Sequence, residues 1–134
     1  MYLNETIIRV RYAETDRMGY VYYGHYAAYF EVARVEMLRN LGFSYKILED
    51  EGIILPVLNF SVKYIRPAYY DDLLKIKTTI KDLPVARIRF DYETFNEKEE
   101  LINVADTTLV FINKKTNRPG APPADLLEAM RKYF

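Results

Sequence analysis

Asp16 sits where a carboxylate can do chemistry. The stretch Glu14–Tyr22 (ETDRMGYVY) is polar, then broken by Gly19, and reads as a loop. Behind it, Gly24–Leu41 has no proline and no internal glycine, and reads as a helix that Gly42 ends. Backbone N–H groups at a helix N-terminus have no partner inside the helix and carry a partial positive charge. A carboxylate near such donors is half of a hydrolytic site. It can attack a carbonyl directly or activate a water, and the sequence does not choose between these. The N–H groups around Tyr23 and Gly24 would then face the developing oxyanion, where losing one such donor costs on the order of 3 kcal/mol. The competing reading of Asp16 is an Asx-turn or cap residue, as Thr-Asp before a glycine often is. Glu14 reads as a solvated or turn residue. Glu31 and Arg34, three apart on the helix, read as an ion pair. His25 is the one histidine and reads as a capping or hydrogen-bonding residue next to the substrate at most. One histidine and no cysteine leave no metal-ligand set, and no cofactor is expected.

The elements that must position these residues follow from periodicity. On the helix Tyr26, Phe30, Ala33, Met37 and Leu41 recur at helical spacing, and Ala27, Ala28, Val32 and Val35 make the other side apolar too, so a core helix is expected. Thr6–Tyr12 alternates as a strand, with Ile8, Val10 and Tyr12 on one side. Phe43–Gly52 reads as a second short helix or turn, with Tyr45, Ile47 and Leu48 as its apolar part. After Pro56 the period is two: Leu58, Phe60, Val62 and Tyr64; then Leu74, Ile76, Thr78 and Ile80; then Ala86, Ile88, Phe90 and Tyr92. A last strand carries Ile102, Val104, Thr108, Val110 and Ile112, with a second, fairly apolar face of Leu101, Ala105, Leu109 and Phe111. Lys114–Pro123 gives no core signal, and Ala124–Tyr133 reads as a short C-terminal helix opened by Pro123. Short turns between consecutive strands demand antiparallel pairing. A sheet with one apolar face needs a cover, and the helix at 24–41 is the long apolar element available. The expectation is an α+β chain, a five-stranded antiparallel sheet curled around one long central helix.

Composition bounds the rest. With 134 residues, half of them hydrophobic, residues 1–134 form one domain with a single core. Nineteen basic and nineteen acidic residues give no net charge to steer the chain onto nucleic acid or an anionic membrane. Without cysteine, an apolar leader or a membrane-length apolar run, a cytoplasmic location is expected. Thirteen tyrosines and no tryptophan stand out. Tyr20, Tyr22, Tyr23, Tyr26 and Tyr29 cluster, and most of them read as aromatic packing at a rim or subunit contact rather than as a ring-lined acyl pocket, since five are more than one small pocket needs.

The run Tyr12-Ala13-Glu14-Thr15-Asp16-Arg17-Met18-Gly19-Tyr20-Val21-Tyr22-Tyr23-Gly24-His25-Tyr26, followed by Phe30-Glu31-Val32-Ala33-Arg34, resembles the pattern Y-x-E-T-D-x-M-G-x-V-Y-H-x-N-Y-x-x-x-F-E-x-A-R. That pattern belongs to the hotdog-fold thioesterases of the 4-hydroxybenzoyl-CoA thioesterase-like family. A second match, Tyr64-Ile65-Arg66-Pro67-Ala68-Tyr69-Tyr70-Asp71-Asp72-Leu73, resembles the family's turn between two sheet strands. The resemblance implies hydrolysis of a small or medium acyl-CoA. It makes Asp16 the catalytic aspartate and Tyr23 the residue whose backbone N–H binds the thioester carbonyl oxygen. Tyr22, His25 and Tyr26 would help line the acyl site. It also implies a homo-oligomer, a dimer or a dimer of dimers, with active sites at the subunit interface. Two departures stand out: the family's helix-entry His and Asn are Tyr23 and His25 here, and the hairpin that holds coenzyme A phosphates in some relatives reads Leu83-Pro84-Val85-Ala86. Arg87 and Arg89 nearby are read either as a phosphate cradle or, with Lys63, Lys75 and Lys77, as a solvated sheet face. Other hotdog thioesterases carry their carboxylate on the helix, which makes Glu31 the rival to Asp16. Acyl carrier protein is the alternative carrier, and a non-catalytic acyl-thioester binder is the alternative class.

Overall fold

The computed structural model describes residues 1–134. Five strands form one antiparallel sheet in the order β1-β4-β5-β6-β3: β1 (Tyr2–Arg9), β3 (Val57–Tyr64), β4 (Leu73–Ile80), β5 (Arg87–Phe95) and β6 (Leu101–Val110). Three shorter strands, β2 (Ile53–Ile54), β7 (Ile112–Asn113) and β8 (Arg118–Pro119), make a separate small sheet. Helix α1 (His25–Arg39) packs on one face of the large sheet; α2 (Tyr45–Asp50) and α3 (Ala124–Arg131) are short. No helix is long and apolar enough to cross a membrane.

The period-two pattern decides what the sheet buries. Leu74, Ile76, Thr78 and Ile80 of β4 and Ile88, Phe90, Tyr92 and Thr94 of β5 all point under α1 and are shut off from solvent. From above, Tyr26, Phe30, Ala33 and Met37 close the layer. Phe30 stacks on Tyr92 with ring centres 4.5 Å apart and meets Phe60 edge-on. Each such large side chain contributes roughly 1.5–3 kcal/mol by leaving water. The helix ends where glycine permits it: Gly42 at φ +90° donates to the Arg39 carbonyl, and the Phe43 N–H reaches back to Leu38.

Several expectations are corrected. The first strand begins at Tyr2 and ends at Arg9, and Tyr12, expected on its buried side, is exposed in a 3-10 turn at Tyr12–Glu14. The core face of β6 is Asn103, Ala105, Thr107 and Leu109, while Val104, Thr108 and Val110 face outward. The β-branched outer face imitates a core face, and Asn103 and Thr107 disguise the real one. Ile47 of α2 is exposed, leaving Leu48 as that helix's buried anchor. Within the Lys114–Pro123 stretch, β8 pairs with β7, which in turn pairs with β2. The far side of α1, with Ala27, Ala28, Glu31 and Val32, lies open. Glu31 and Arg34 do not pair. Arg34 turns inward, is buried, and donates from Nε to the Tyr45 hydroxyl at 2.8 Å, while Glu31 stays on the exposed side.

Candidate active site

Asp16 lies in a loop tied down at several points. Its N–H donates to the Tyr20 carbonyl at 2.8 Å, and the Gly19 N–H donates to the Asp16 carbonyl at 3.0 Å. Gly19 makes this turn at φ +80°, a conformation open to glycine without a steric penalty. The carboxylate then splits its duties. Oδ1 accepts from the Met18 N–H at 2.9 Å and the Tyr20 N–H at 3.3 Å, an Asx-turn; Oδ2 accepts no hydrogen bond. Below the turn, Thr15 bridges to Val21, the Tyr22 N–H donates to the Glu14 carbonyl, and the Val21 N–H donates to Ala68.

Glu14 anchors the base of this loop, and it is buried rather than solvated. Its Oε1 accepts from the Arg11 N–H at 2.8 Å and the Tyr29 hydroxyl at 2.7 Å; Oε2 accepts from the Arg11 guanidinium at 2.8 and 3.0 Å. Burial works to raise its pKa, but the Arg11 and Tyr29 hydrogen bonds outweigh it and hold the carboxyl below its ordinary value. Tyr29 belongs to α1, so this cluster fixes the loop to the helix. The same carboxylate and, above all, burial push the Tyr29 phenol well up.

The helix entry supplies free donors. The His25 N–H bonds back to the Tyr22 carbonyl at 2.9 Å and the Tyr26 N–H to Tyr23 at 3.3 Å, but the Tyr23 and Gly24 N–H groups donate to nothing in the chain. The Tyr22 ring lies over Gly24, where an added Cβ would sit 2.8 Å from a ring carbon.

Asp16 and Tyr23 line one cavity of about 330 Å³, together with Met18, Tyr20, Val21, Tyr26, Tyr64, Ile65, Arg66 and Pro67. Tyr26 and Tyr64 pack against each other at 5.8 Å between ring centres. Burial, then Tyr64 and Asp72, raise the Tyr26 phenol, so it stays neutral there. A carboxylate oxygen without a partner, free N–H groups at a helix start and an apolar, ring-lined wall suit attack on an activated carbonyl next to an apolar substituent.

The sequence profile of the thioesterase-like superfamily matches residues 10–130. The chain belongs to that superfamily. This thioesterase is 33% identical over 125 residues to the acyl-CoA thioester hydrolase YbgC of Escherichia coli, covering 93% of each chain. It is 36% identical over 123 residues to the acyl-CoA thioesterase YbgC of Haemophilus influenzae, covering 91% of this chain and 90% of that one. A solved DHNA-CoA thioesterase from Staphylococcus aureus superimposes with a TM-score of 0.93 at 40% identity, over 99% of this chain and 91% of that one. The fold is therefore the hotdog fold, and the chain is a thioester hydrolase.

Of the residues singled out in the sequence, the thioesterase brings Asp16, Tyr23 and Tyr26 to one cavity. Gly24, Tyr22 and His25 stand beside it at the helix entry, with the His25 ring edge-on to Tyr22 at 6.0 Å. Arg87 and Arg89 lie elsewhere, in a cavity of about 400 Å³ with Lys81, Asp82, Leu83 and Asp91. Arg89 is paired there with Asp91 at 3.1 Å and Asp106 at 3.5 Å. Met18, Val21, Tyr64, Ile65, Arg66 and Pro67 are lining residues that the sequence reading did not assign to the pocket. Tyr20, Tyr23, Tyr26 and Tyr64 favour the ring-lined pocket, while Tyr29 belongs to the buried Glu14 cluster.

Proposed function

We propose that the thioesterase hydrolyses small or medium acyl-CoA thioesters at the Asp16 cavity. Asp16 acts there as base or nucleophile, and the Tyr23 and Gly24 amides receive the oxyanion. One observation carries this reading: Asp16, whose Oδ2 accepts no hydrogen bond, and Tyr23, whose N–H donates none, line the same cavity. The thioester carbon is attacked by Oδ2, giving a mixed anhydride that water then cleaves, or by a water whose proton passes to Oδ2. In both cases the carbon–sulfur bond breaks, and coenzyme A leaves as thiolate and takes up a proton. The developing negative charge forms beside free N–H groups and the positive end of α1. A cavity of about 330 Å³ lies at the small end of ligand sites, roughly 300–1,000 Å³, which favours a compact acyl group. The S. aureus relative is named for one aromatic acyl-CoA; only the acyl-CoA class is carried over to this chain.

The coenzyme A phosphates need cations, and Arg66 is the basic residue of the Asp16 cavity, though it faces Glu100 at 3.4 Å. Arg87 and Arg89 contribute to phosphate binding if a second protomer brings its own pair to the mouth of the cavity. That arrangement is supported by β3, an edge strand rich in exposed apolar side chains whose end, with Ile65 to Pro67, walls the cavity. The test is thiol release from a panel of acyl-CoAs by wild type and Asp16→Asn. A drop in kcat of a hundredfold or more is expected; equal rates would remove Asp16 from the mechanism.

A further inference from the structure

Glu14 holds both halves of the candidate site without entering it. Its backbone carbonyl accepts from the Tyr22 N–H at 2.8 Å, directly before Tyr23, and Asp16 follows it by two residues. Its side chain reaches the other way, where Oε1 accepts from the Tyr29 hydroxyl at 2.7 Å. Tyr29 stands just over one turn into α1 and is 3% exposed. Neither Glu14 nor Tyr29 lines the Asp16 cavity. Both border a separate cavity of about 300 Å³, with Arg11, Ala28 and Val32.

The Tyr29–Glu14 bond is the one side-chain hydrogen bond between residues 12–22 and the body of α1. The loop's other hydrogen bonds stay within it, reach the helix entry at His25, or run to Ala68 and Tyr69. Arg11 occupies the rest of the carboxylate, with its N–H on Oε1 and its guanidinium on Oε2, and so holds Glu14 in place for Tyr29. Helix then links Tyr29 to the free amides at its start, and the Asx-turn links Glu14 to Asp16. The bond closes that circuit and sets how far Oδ2 stands from the Tyr23 and Gly24 N–H groups. Attack geometry is steep in distance: a displacement of about 1 Å caused far from the chemistry can cost roughly a hundredfold. The family pattern specifies glutamate at position 14 and leaves position 29 open, so this closure lies outside the shared motif.

We infer that Tyr29 and Glu14 are positioning residues for the hydrolysis: their bond holds the Asp16 carboxylate and the Tyr23 and Gly24 amides at the separation that attack requires. Neither side chain touches the substrate. The inference rests on Asp16 and those amides being the reacting groups.

The experiment measures kcat and KM on the best substrate of the acyl-CoA panel. Tyr29→Phe keeps the ring and drops the hydroxyl alone. Glu14→Asp keeps a charge for Arg11 but falls a methylene short of Tyr29, and carries the test if Tyr29→Phe folds poorly. Each is expected to lower kcat about tenfold with KM within about twofold of wild type, the mark of an interaction felt in the transition state alone. Gly42→Ala loosens α1 at its far end and is expected to leave kcat unchanged, which separates positioning from a general loss of stability. Coupling gives a second readout: Tyr29→Phe added to Asp16→Asn should slow the residual rate no further, because the hydroxyl acts through Asp16. A folded Tyr29→Phe with wild-type kcat, a loss confined to KM, or a full additional loss in the Asp16→Asn background overturns the inference and leaves the thioesterase reading standing. Asp16→Asn at the wild-type rate would instead overturn the proposed site chemistry, and this inference with it.

Discussion

Asp16 uses one carboxylate oxygen to hold its own loop and keeps the other unbonded. The turn-residue and catalytic readings are therefore compatible, and two substitutions separate them. Asparagine retains an Oδ1 that accepts from Met18 and Tyr20, so Asp16→Asn should match wild type within about 0.5 kcal/mol in urea unfolding. Asp16→Ala removes that acceptor and should cost about 1 kcal/mol. Both should lose turnover, which isolates the catalytic loss from the structural one. Glu14 makes a pH prediction. Its folded pKa is depressed, so the unfolded chain binds the proton more readily. Its contribution is present above the unfolded pKa of about 4.5 and is lost as pH falls through the lower folded value. Glu14→Gln should thus be less stable than wild type at pH 7, by roughly 1–3 kcal/mol given the charge-assisted bonds to Arg11. The gap should close as both proteins are titrated below pH 4.5 in thermal melts. A gap constant with pH would mean that the Glu14 charge contributes nothing.

Helix α1 shows which element boundaries a sequence can carry. Gly42 was legible as its stop because a left-handed cap favours glycine, and the chain takes φ +90° there. Gly42→Ala should therefore lower stability by about 1 kcal/mol, measurable as a drop in unfolding midpoint. Gly24 at the other end is a different case. Its backbone is ordinary helical, and the obstacle to a Cβ is the ring of half-exposed Tyr22, which can rotate. Gly24→Ala should stay within about 0.5 kcal/mol of wild type in the same assay. Strands β4 and β5 were readable because their core faces are almost wholly apolar. The face of β6 was not, because Asn103 and Thr107 sit inside while valines sit outside. The first strand was placed too late because Tyr2 and Thr6 do not read as a core-facing alternation, although both are buried. Asp16 and Tyr23 were singled out by one contiguous motif, Tyr12 to Tyr26, through its resemblance to the family pattern. Tyr64 and its neighbours reach the cavity only through sheet pairing between β3 and β6, which no local pattern contains.

The single chain leaves one sheet edge unguarded. Strand β3 pairs with β6 on one side alone, and Val57, Leu58, Phe60, Tyr64 and the adjoining Ile65 are each about 40–50% exposed. Natural monomers blunt such an edge with charge, proline or a cover, whereas β3 carries Lys63 as its one charged residue. The open side of α1 adds Ala28 and Val32 to the uncovered apolar surface. Antiparallel pairing of β3 with its copy would continue the sheet across two protomers and bury that edge. It would also set the partner's β3 beside Tyr64 and Ile65, which wall the Asp16 cavity. Assembly and activity should then fail together. Wild type is expected to sediment as a dimer or larger at micromolar concentration. Val57→Lys combined with Leu58→Lys should shift it toward monomer, at little cost to the stability of the isolated fold because both side chains are already exposed there. The same variant should lose at least tenfold in kcat/KM, with the loss partly reversed by raising protein concentration, as mass action requires of a site completed by a partner. A monomeric wild type with full turnover would place the whole reaction within one chain and leave the bare edge without a role in it.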